Sequence, residues 1–127
     1  MTKILLIDDE PDMRELVTMR LEASGYEVLT AGDGQEGVEL AREKRPDLII
    51  LDIMLPKMDG YQVCRILKFD LRTAKIPIIL FSARVQENDK KMGAEVGADA
   101  YITKPFDPEP LMNKIAELLK AAKDNQK

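Results

Sequence analysis

The run Leu48-Ile49-Ile50-Leu51-Asp52 carries four apolar residues into a single carboxylate, with Pro46 just before it. A strand with one wet face alternates apolar and polar side chains. A run that is apolar on both faces belongs to a strand covered by helices on each side, as in a parallel sheet. Ile78-Ile79-Leu80-Phe81-Ser82 repeats the pattern directly behind Pro77. Working outward, Lys3–Ile7, Val28–Ala31 and Ala100–Thr103 complete five strand candidates. Helical spacing fills the gaps between them. Met13, Leu16, Val17 and Leu21 share one face of the first helix, Val63, Ile66 and Leu67 mark the third, and Leu111, Ile115, Leu118 and Leu119 form the stripe of the last. Gly34–Lys44 is shorter and contains two glycines. Gln86–Val96 is the weakest, with only Met92 and Val96 well placed for burial. Pro11 at a helix start, and Gly25 and Gly97 after helices, agree with these divisions. Strand-helix alternation repeated five times predicts an α/β fold with right-handed crossovers, and five units are too few for an eight-fold barrel. The expected architecture is a doubly wound five-stranded parallel sheet of order 2-1-3-4-5, a flavodoxin-like (βα)5 fold.

The chain has 127 residues, enough for one domain, expected over 1–120 with 121–127 as a polar tail that frays. At 45% hydrophobic and 33% charged it has the mix of a globular protein rather than a disordered one. The net charge of −4 lacks the basic footprint of a direct nucleic-acid binder. Histidine is absent, which excludes histidine general-base catalysis, Ser-His-Asp triads and imidazole metal sites. Cys64 is the only cysteine, so neither an intramolecular disulfide nor a thiolate zinc cluster can form. The apolar run Ile4–Ile7 is stopped by Asp8-Asp9-Glu10, unlike a signal peptide, and no stretch approaches the ~20 apolar residues of a membrane span. A cytoplasmic location is expected.

Ligands of an open parallel sheet bind beyond the carboxyl ends of the strands, where the strand order reverses, here between strands 1 and 3. Strand 1 runs into Asp8-Asp9, strand 3 ends in Asp52, strand 4 in Ser82, and Lys104 follows strand 5. Strand 2, on the far side, ends in plain Ala31-Gly32. Carboxylates converging on one spot repel and call for a counter-cation. With no histidine or cysteine cluster the ligands are all oxygens, which favours Mg2+ or Mn2+ over zinc. A lysine and a hydroxyl completing the ring suit phosphoryl oxygens, and the set reads as a phosphoryl-transfer site with a carboxylate nucleophile. Each residue alone has a plainer explanation. An aspartate caps the helix at Pro11, Ser82 sits in a turn, Lys104 is solvated, and Glu87-Asn88-Asp89-Lys90-Lys91 is a wet surface. Their order on successive strand ends is what the plainer explanations leave out.

Asp8-Asp9, Asp52-Ile53-Met54-Leu55-Pro56-Lys57-Met58-Asp59-Gly60, Ser82-Ala83 and Lys104-Pro105 together closely resemble the receiver domain of two-component response regulators, over about Thr2 to Leu119. The resemblance implies that Asp52 is the phosphoacceptor, taking the phosphoryl group from a phosphohistidine of a sensor histidine kinase or histidine phosphotransfer protein. It implies a metal site in which Asp9 binds Mg2+ directly, Asp8 through water, Asp52 from the facing strand and Met54 through its backbone carbonyl. Ser82 and Lys104 would hold phosphoryl oxygens, with a cis bond before Pro105 aiming the lysine inward. Ser82 and Tyr101 would form the switch that alters the face of helix 4, strand 5 and helix 5 for a downstream effector or a fused output domain. The weak apolar stripe of helix 4 suits an element that shifts cheaply, and Cys64 reads as a small buried hydrophobe.

No turnover of external substrates is expected, and no direct contact with nucleic acid or membrane. A phosphatase using an aspartyl-phosphate would need an acid/base carboxylate where Met54 stands. The remaining alternative is a protein-interaction module that works without phosphorylation. Ala100 replaces an acid common after Asp99 in the family's dimerising members, and Lys114 and Ala116 stand where arginine is frequent, which weakens the dimerising reading. Met54 and Arg84 flank the phosphoryl site in the resemblance. Met54 cannot orient water, so slow self-dephosphorylation is expected.

Overall fold

Five strands, β1 (Lys3–Ile7), β2 (Glu27–Ala31), β3 (Leu48–Asp52), β4 (Ile78–Ser82) and β5 (Ala100–Thr103), pair in parallel in the order β2-β1-β3-β4-β5. The helices that connect and follow them are α1 (Pro11–Ala23), α2 (Gly34–Lys44), α3 (Gly60–Phe69), α4 (Glu87–Glu95) and α5 (Pro108–Asp124). The computed structural model describes residues 1–83, 87–103 and 108–124, with the backbone alone for 87–90. Both the fold class and the strand order agree with the expectation from sequence.

The two-faced apolar runs are buried on both faces. Every residue of β3 and β4 is buried, whereas the edge strand β2 has two exposed residues, Glu27 and Thr30. One core cluster joins Leu5, Ile7, Ile49, Leu51 and Leu80 to Val38 and Ala41 of α2 and Val63, Cys64 and Leu67 of α3. The other joins Ile4, Leu6, Ile50, Ile79 and Phe81 to Val17 and Leu21 of α1 and Leu111 and Ile115 of α5. Odd and even positions of each central strand thus serve opposite helix layers, as the period of two demands. Full burial of each such side chain contributes about 1.5–3 kcal/mol, and this two-sided cover holds the strand ends rigidly in place.

Register sets the site. Ile7 is opposite Leu51, so the next residues, Asp8 and Asp52, come level at the carboxyl end of the two central strands. Asp8 N donates to Ala31 O at 3.1 Å, one step past the last paired residue of β1.

The structure revises several local expectations. Leu16 is 53% exposed, because the buried stripe of α1 runs Met13-Val17-Leu21 at every fourth residue and Leu16 falls about 100° round the helix from it. Met92 is also exposed, and Gly93 takes the sheet-facing position of α4, where a β-carbon would come 3.0 Å from Leu80 Cδ1. β2 begins at Glu27 rather than Val28, since backbone pairing with Lys3 needs no apolar side chain at an edge. The frayed tail expected after Lys120 is helical as far as Asp124, with Ala121 and Ala122 favouring the helix and Lys123 complementing its carboxyl end.

Candidate functional site at the carboxyl end of the sheet

Asp8, Asp52, Ser82 and Thr73 are the buried polar or charged residues among those described. Three of the four stand at carboxyl ends of β1, β3 and β4; Thr73 lies elsewhere and donates to Leu67 O at 2.7 Å. Burying a carboxylate is costly unless it is satisfied, and each aspartate has a local partner. Asp8 Oδ1 accepts from Glu10 N at 2.9 Å, and Asp52 Oδ1 accepts from Met54 N at 3.0 Å. Both are bonds to the backbone two residues on, the habit of aspartate in turns. They fix each carboxylate relative to its own loop. Arg14 Nη1 donates to Asp8 O at 2.7 Å and brings a cation beside the loop, passing Gly32, where a β-carbon would stand 3.2 Å away.

Carboxylate oxygens of Asp8, Glu10 and Asp52 lie within 4.8 Å of one another. Asp9 is exposed and outside that group. Sequence reasoning singled out Asp8, Asp9 and Asp52 and passed over Glu10. The three successive acids carry no sign of which of them face the site, because that depends on the backbone. On extended backbone alternate residues share a side, and Glu10 has φ −89° and ψ 112° at the cap of α1. Its side chain makes no capping bond, so closing that helix does not explain Glu10. The oxygen-only donor set, close-spaced and half-buried, fits Mg2+ or Mn2+, hard cations that take one or two carboxylates and complete their shell with water or phosphate.

The loop from Asp52 to α3 is tightly cross-bonded. Leu55 N donates to Ile53 O at 3.1 Å, Met58 N to Pro56 O at 2.7 Å, and Gly60 N to Ile53 O at 2.8 Å. Lys57 makes the turn with φ 69°, and Asp59 caps α3 by accepting from Gln62 N at 3.0 Å. Gly60 is pressed against the strand end. A β-carbon there would strike the Asp52 carbonyl oxygen and stand 2.6 Å from Ile53 Cα. Met54 turns its side chain outward at 58% exposure, leaving its backbone to the site.

Ser82 ends β4 opposite Thr103 of β5. Tyr101 pairs with Leu80 and is half-buried against the cluster of α2 and α3, near Gly93 of α4. Ser82 and Tyr101 therefore lie on adjacent strands at the edge that α4 covers. Lys104, Pro105 and Arg84 lie outside the described residues. Cys64 is buried as expected, its Sγ 3.6 Å from Val96 O, and burial pushes its thiol up to about 11.

The family model of the response regulator receiver domain matches residues 4–116. A DNA-binding dual master transcriptional regulator, RpaA, of Synechocystis sp. is 48% identical over 120 residues, which cover 94% of this chain and 50% of that protein. The chain thus spans about half the length of the curated relatives it matches. A CheY-like response regulator receiver domain protein from Methanospirillum hungatei superimposes with a TM-score of 0.92 at 28% identity, covering 98% of each chain. The receiver domain of a sensor histidine kinase from Pseudomonas aeruginosa, solved with a magnesium ion coordinated in its active site cleft, gives a TM-score of 0.87 at 28% identity, covering 94% of this chain and 98% of that one.

Proposed function

This chain belongs to the response regulator receiver domain family, and on that premise we propose that Asp52 accepts a phosphoryl group from a phosphohistidine of a sensor histidine kinase or histidine phosphotransfer protein. The observation that carries the proposal is the pair of buried carboxylates, Asp8 and Asp52, level with each other at the ends of the two central strands. In the transfer an Asp52 oxygen forms a bond to phosphorus while the P–N bond of the donor breaks, its electron pair leaving on the imidazole nitrogen. The bond from Met54 N fixes the Asp52 carboxylate relative to its loop and so sets the direction of its attack.

Asp8 and Asp52, with the Met54 carbonyl and with Asp9 turned in from its exposed position, would hold the metal, and Glu10, already grouped with Asp8 and Asp52, would add a carboxylate beside them. Mg2+ supplies positive charge against the carboxylates and the incoming phosphoryl oxygens. Ser82 donates to one phosphoryl oxygen and Lys104 pairs with another as a point charge. Phosphorylation adds nearly two negative charges and three acceptors. Ser82 and Tyr101 respond on adjacent strands, and the face of α4, β5 and α5 changes its affinity for a downstream protein or an attached output domain. The chain acts on itself rather than turning over a separate substrate.

Intact-protein mass after incubation with acetyl phosphate tests this directly. One phosphoryl addition is expected that requires Mg2+ and is lost in Asp52→Asn. Addition that persists in Asp52→Asn, or proceeds equally after Mg2+ is chelated, overturns the assignment. With the donor removed, the phosphorylated form should outlast a chase of minutes, since Met54 offers no group to position water; disappearance within seconds contradicts that role.

A further inference from the structure

The opposite end of the sheet carries a second feature. At the amino ends of β3 and β4 lies an open groove of about 600 Å³. Its floor is apolar, built from the buried Pro46 and Pro77 with Ile76 and Leu119 partly covered. Its rim is basic. Arg45, Lys75, Lys120 and Lys123 are all exposed there and form no ion pair among the described residues. Arg72 also lines it but is bound to Asp70. The single carboxylate of the lining, Asp47, accepts from Lys3 N at 2.8 Å. Leu71 stands on the rim at 97% exposure, and Phe69, two residues away, is 84% exposed.

Part of this charge has a local cause. In a doubly wound fold the helix carboxyl ends gather below the amino ends of the strands, and each carries about half a negative charge that cations offset. The ends of α2, α3 and α5 together account for fewer than two of the four unpaired cations. Helix ends also give no reason for an apolar floor or for a bare leucine at its edge. Elsewhere the balance is the reverse, because the whole chain has a net charge of −4. Four cations concentrated around an apolar groove on an acidic protein define a surface complementary to an acidic segment bearing an apolar anchor.

We propose that this groove docks an acidic peptide segment of a partner protein, with carboxylates on Arg45, Lys75, Lys120 and Lys123 and an apolar side chain against Leu71 and the floor. The five residues of β3 place it about 17 Å from Asp52 at ~3.3 Å per residue, so a docked segment leaves the phosphoryl site uncovered.

The test is fluorescence anisotropy with a labelled synthetic peptide of Glu and Asp flanking a central pair of leucines. Saturable binding is expected, falling steeply between low and physiological salt. The double reversal Lys75→Glu/Lys123→Glu should weaken it by more than tenfold, and Leu71→Ser by about five- to tenfold. All three residues are exposed, and both variants should still take up a phosphoryl group from acetyl phosphate at the wild-type rate, which shows that the fold is intact. Absence of saturable binding to the wild type overturns the proposal, as does binding that neither variant weakens. If an all-acidic peptide without leucines, or inorganic polyphosphate, competes equally and Leu71→Ser has no effect, the groove is a general anion surface and peptide docking is refuted.

Discussion

Gly60→Ala isolates the coupling between the Asp52 loop and the reacting carboxylate. On helix propensity alone the change should help, since alanine in a helix is favoured over glycine by about 0.5–1 kcal/mol. Gly60 opens α3 and does not have positive φ, so backbone freedom is not the reason it is there. Space is the reason. The new β-carbon would sit 2.6 Å from Ile53 Cα, where ordinary contact begins at 3.4 Å, and would also strike the Asp52 carbonyl oxygen. Both neighbours are backbone, so the strand end and the loop must separate by nearly an ångström. Overpacking of this kind costs about 1–3 kcal/mol, more than propensity returns. The same displacement moves Asp52 relative to Asp8, and a 1 Å misplacement of a reacting group costs about 10²-fold in rate. Gly60→Ala is therefore expected to lower the rate of phosphorylation by acetyl phosphate about a hundredfold by intact mass, and to shift the urea midpoint downward. Gly25→Ala is the control. Its φ of +92° makes alanine strained, yet nothing lies within 4 Å of its β-carbon. It should lose about 1–2 kcal/mol of stability and phosphorylate normally. A Gly60→Ala protein within twofold of the wild-type rate would refute the claim that this contact positions Asp52.

Glu10→Gln removes one charge from the carboxylate group around Asp8 and Asp52. A unit charge a few ångströms from a divalent ion in a water-like medium is worth roughly 1–2 kcal/mol, so calorimetry should show Mg2+ affinity about tenfold weaker, and an unchanged affinity would show that Glu10 faces away from the ion. The Asp70 carboxyl is held well below its usual range, chiefly by side-chain and backbone hydrogen bonds from Arg72 and also by a bond from Arg42 of α2. A lowered folded value gives stability that is complete above 3.8 and lost as the pH falls through the folded value. Asp70→Asn should accordingly unfold at lower urea than wild type at pH 7, the gap closing only well below pH 4; a gap that stays constant with pH would rule out the ion pairs as its source. Cys64, raised by burial to about 11, should resist thiol reagents at pH 8 in the native state and react at once in urea, whereas rapid native labelling would place it at the surface.

The legible and the illegible parts of this protein differ in what fixes them. β3 and β4 could be read to the residue because they are buried on both faces, and burial on both faces forces an unbroken apolar run. Once the strand ends are known, topology brings Asp8, Asp52 and Ser82 together, and the register of Ile7 with Leu51 levels the first two. No such rule fixed the helix surfaces. Leu16 and Met92 have the apolar side chains of a buried stripe but point outward, because a helix on a sheet needs only every fourth residue inward and glycine suffices where the approach is close, as at Gly93. Helix 4 is weakly patterned for that reason. Glu10 was passed over because three acids in succession give no hint of which pair faces the site until the backbone is known to be extended there. The basic groove is less legible still. Arg45, Lys75 and Lys123 come from three separate segments, the cap of α2, the connection before β4 and the last turn of α5, each with an ordinary exposed cation. Chemistry at the carboxyl ends is announced by the strands that carry it, while a surface assembled from helix ends and the connections beside them becomes visible only when the fold has gathered those pieces on one side.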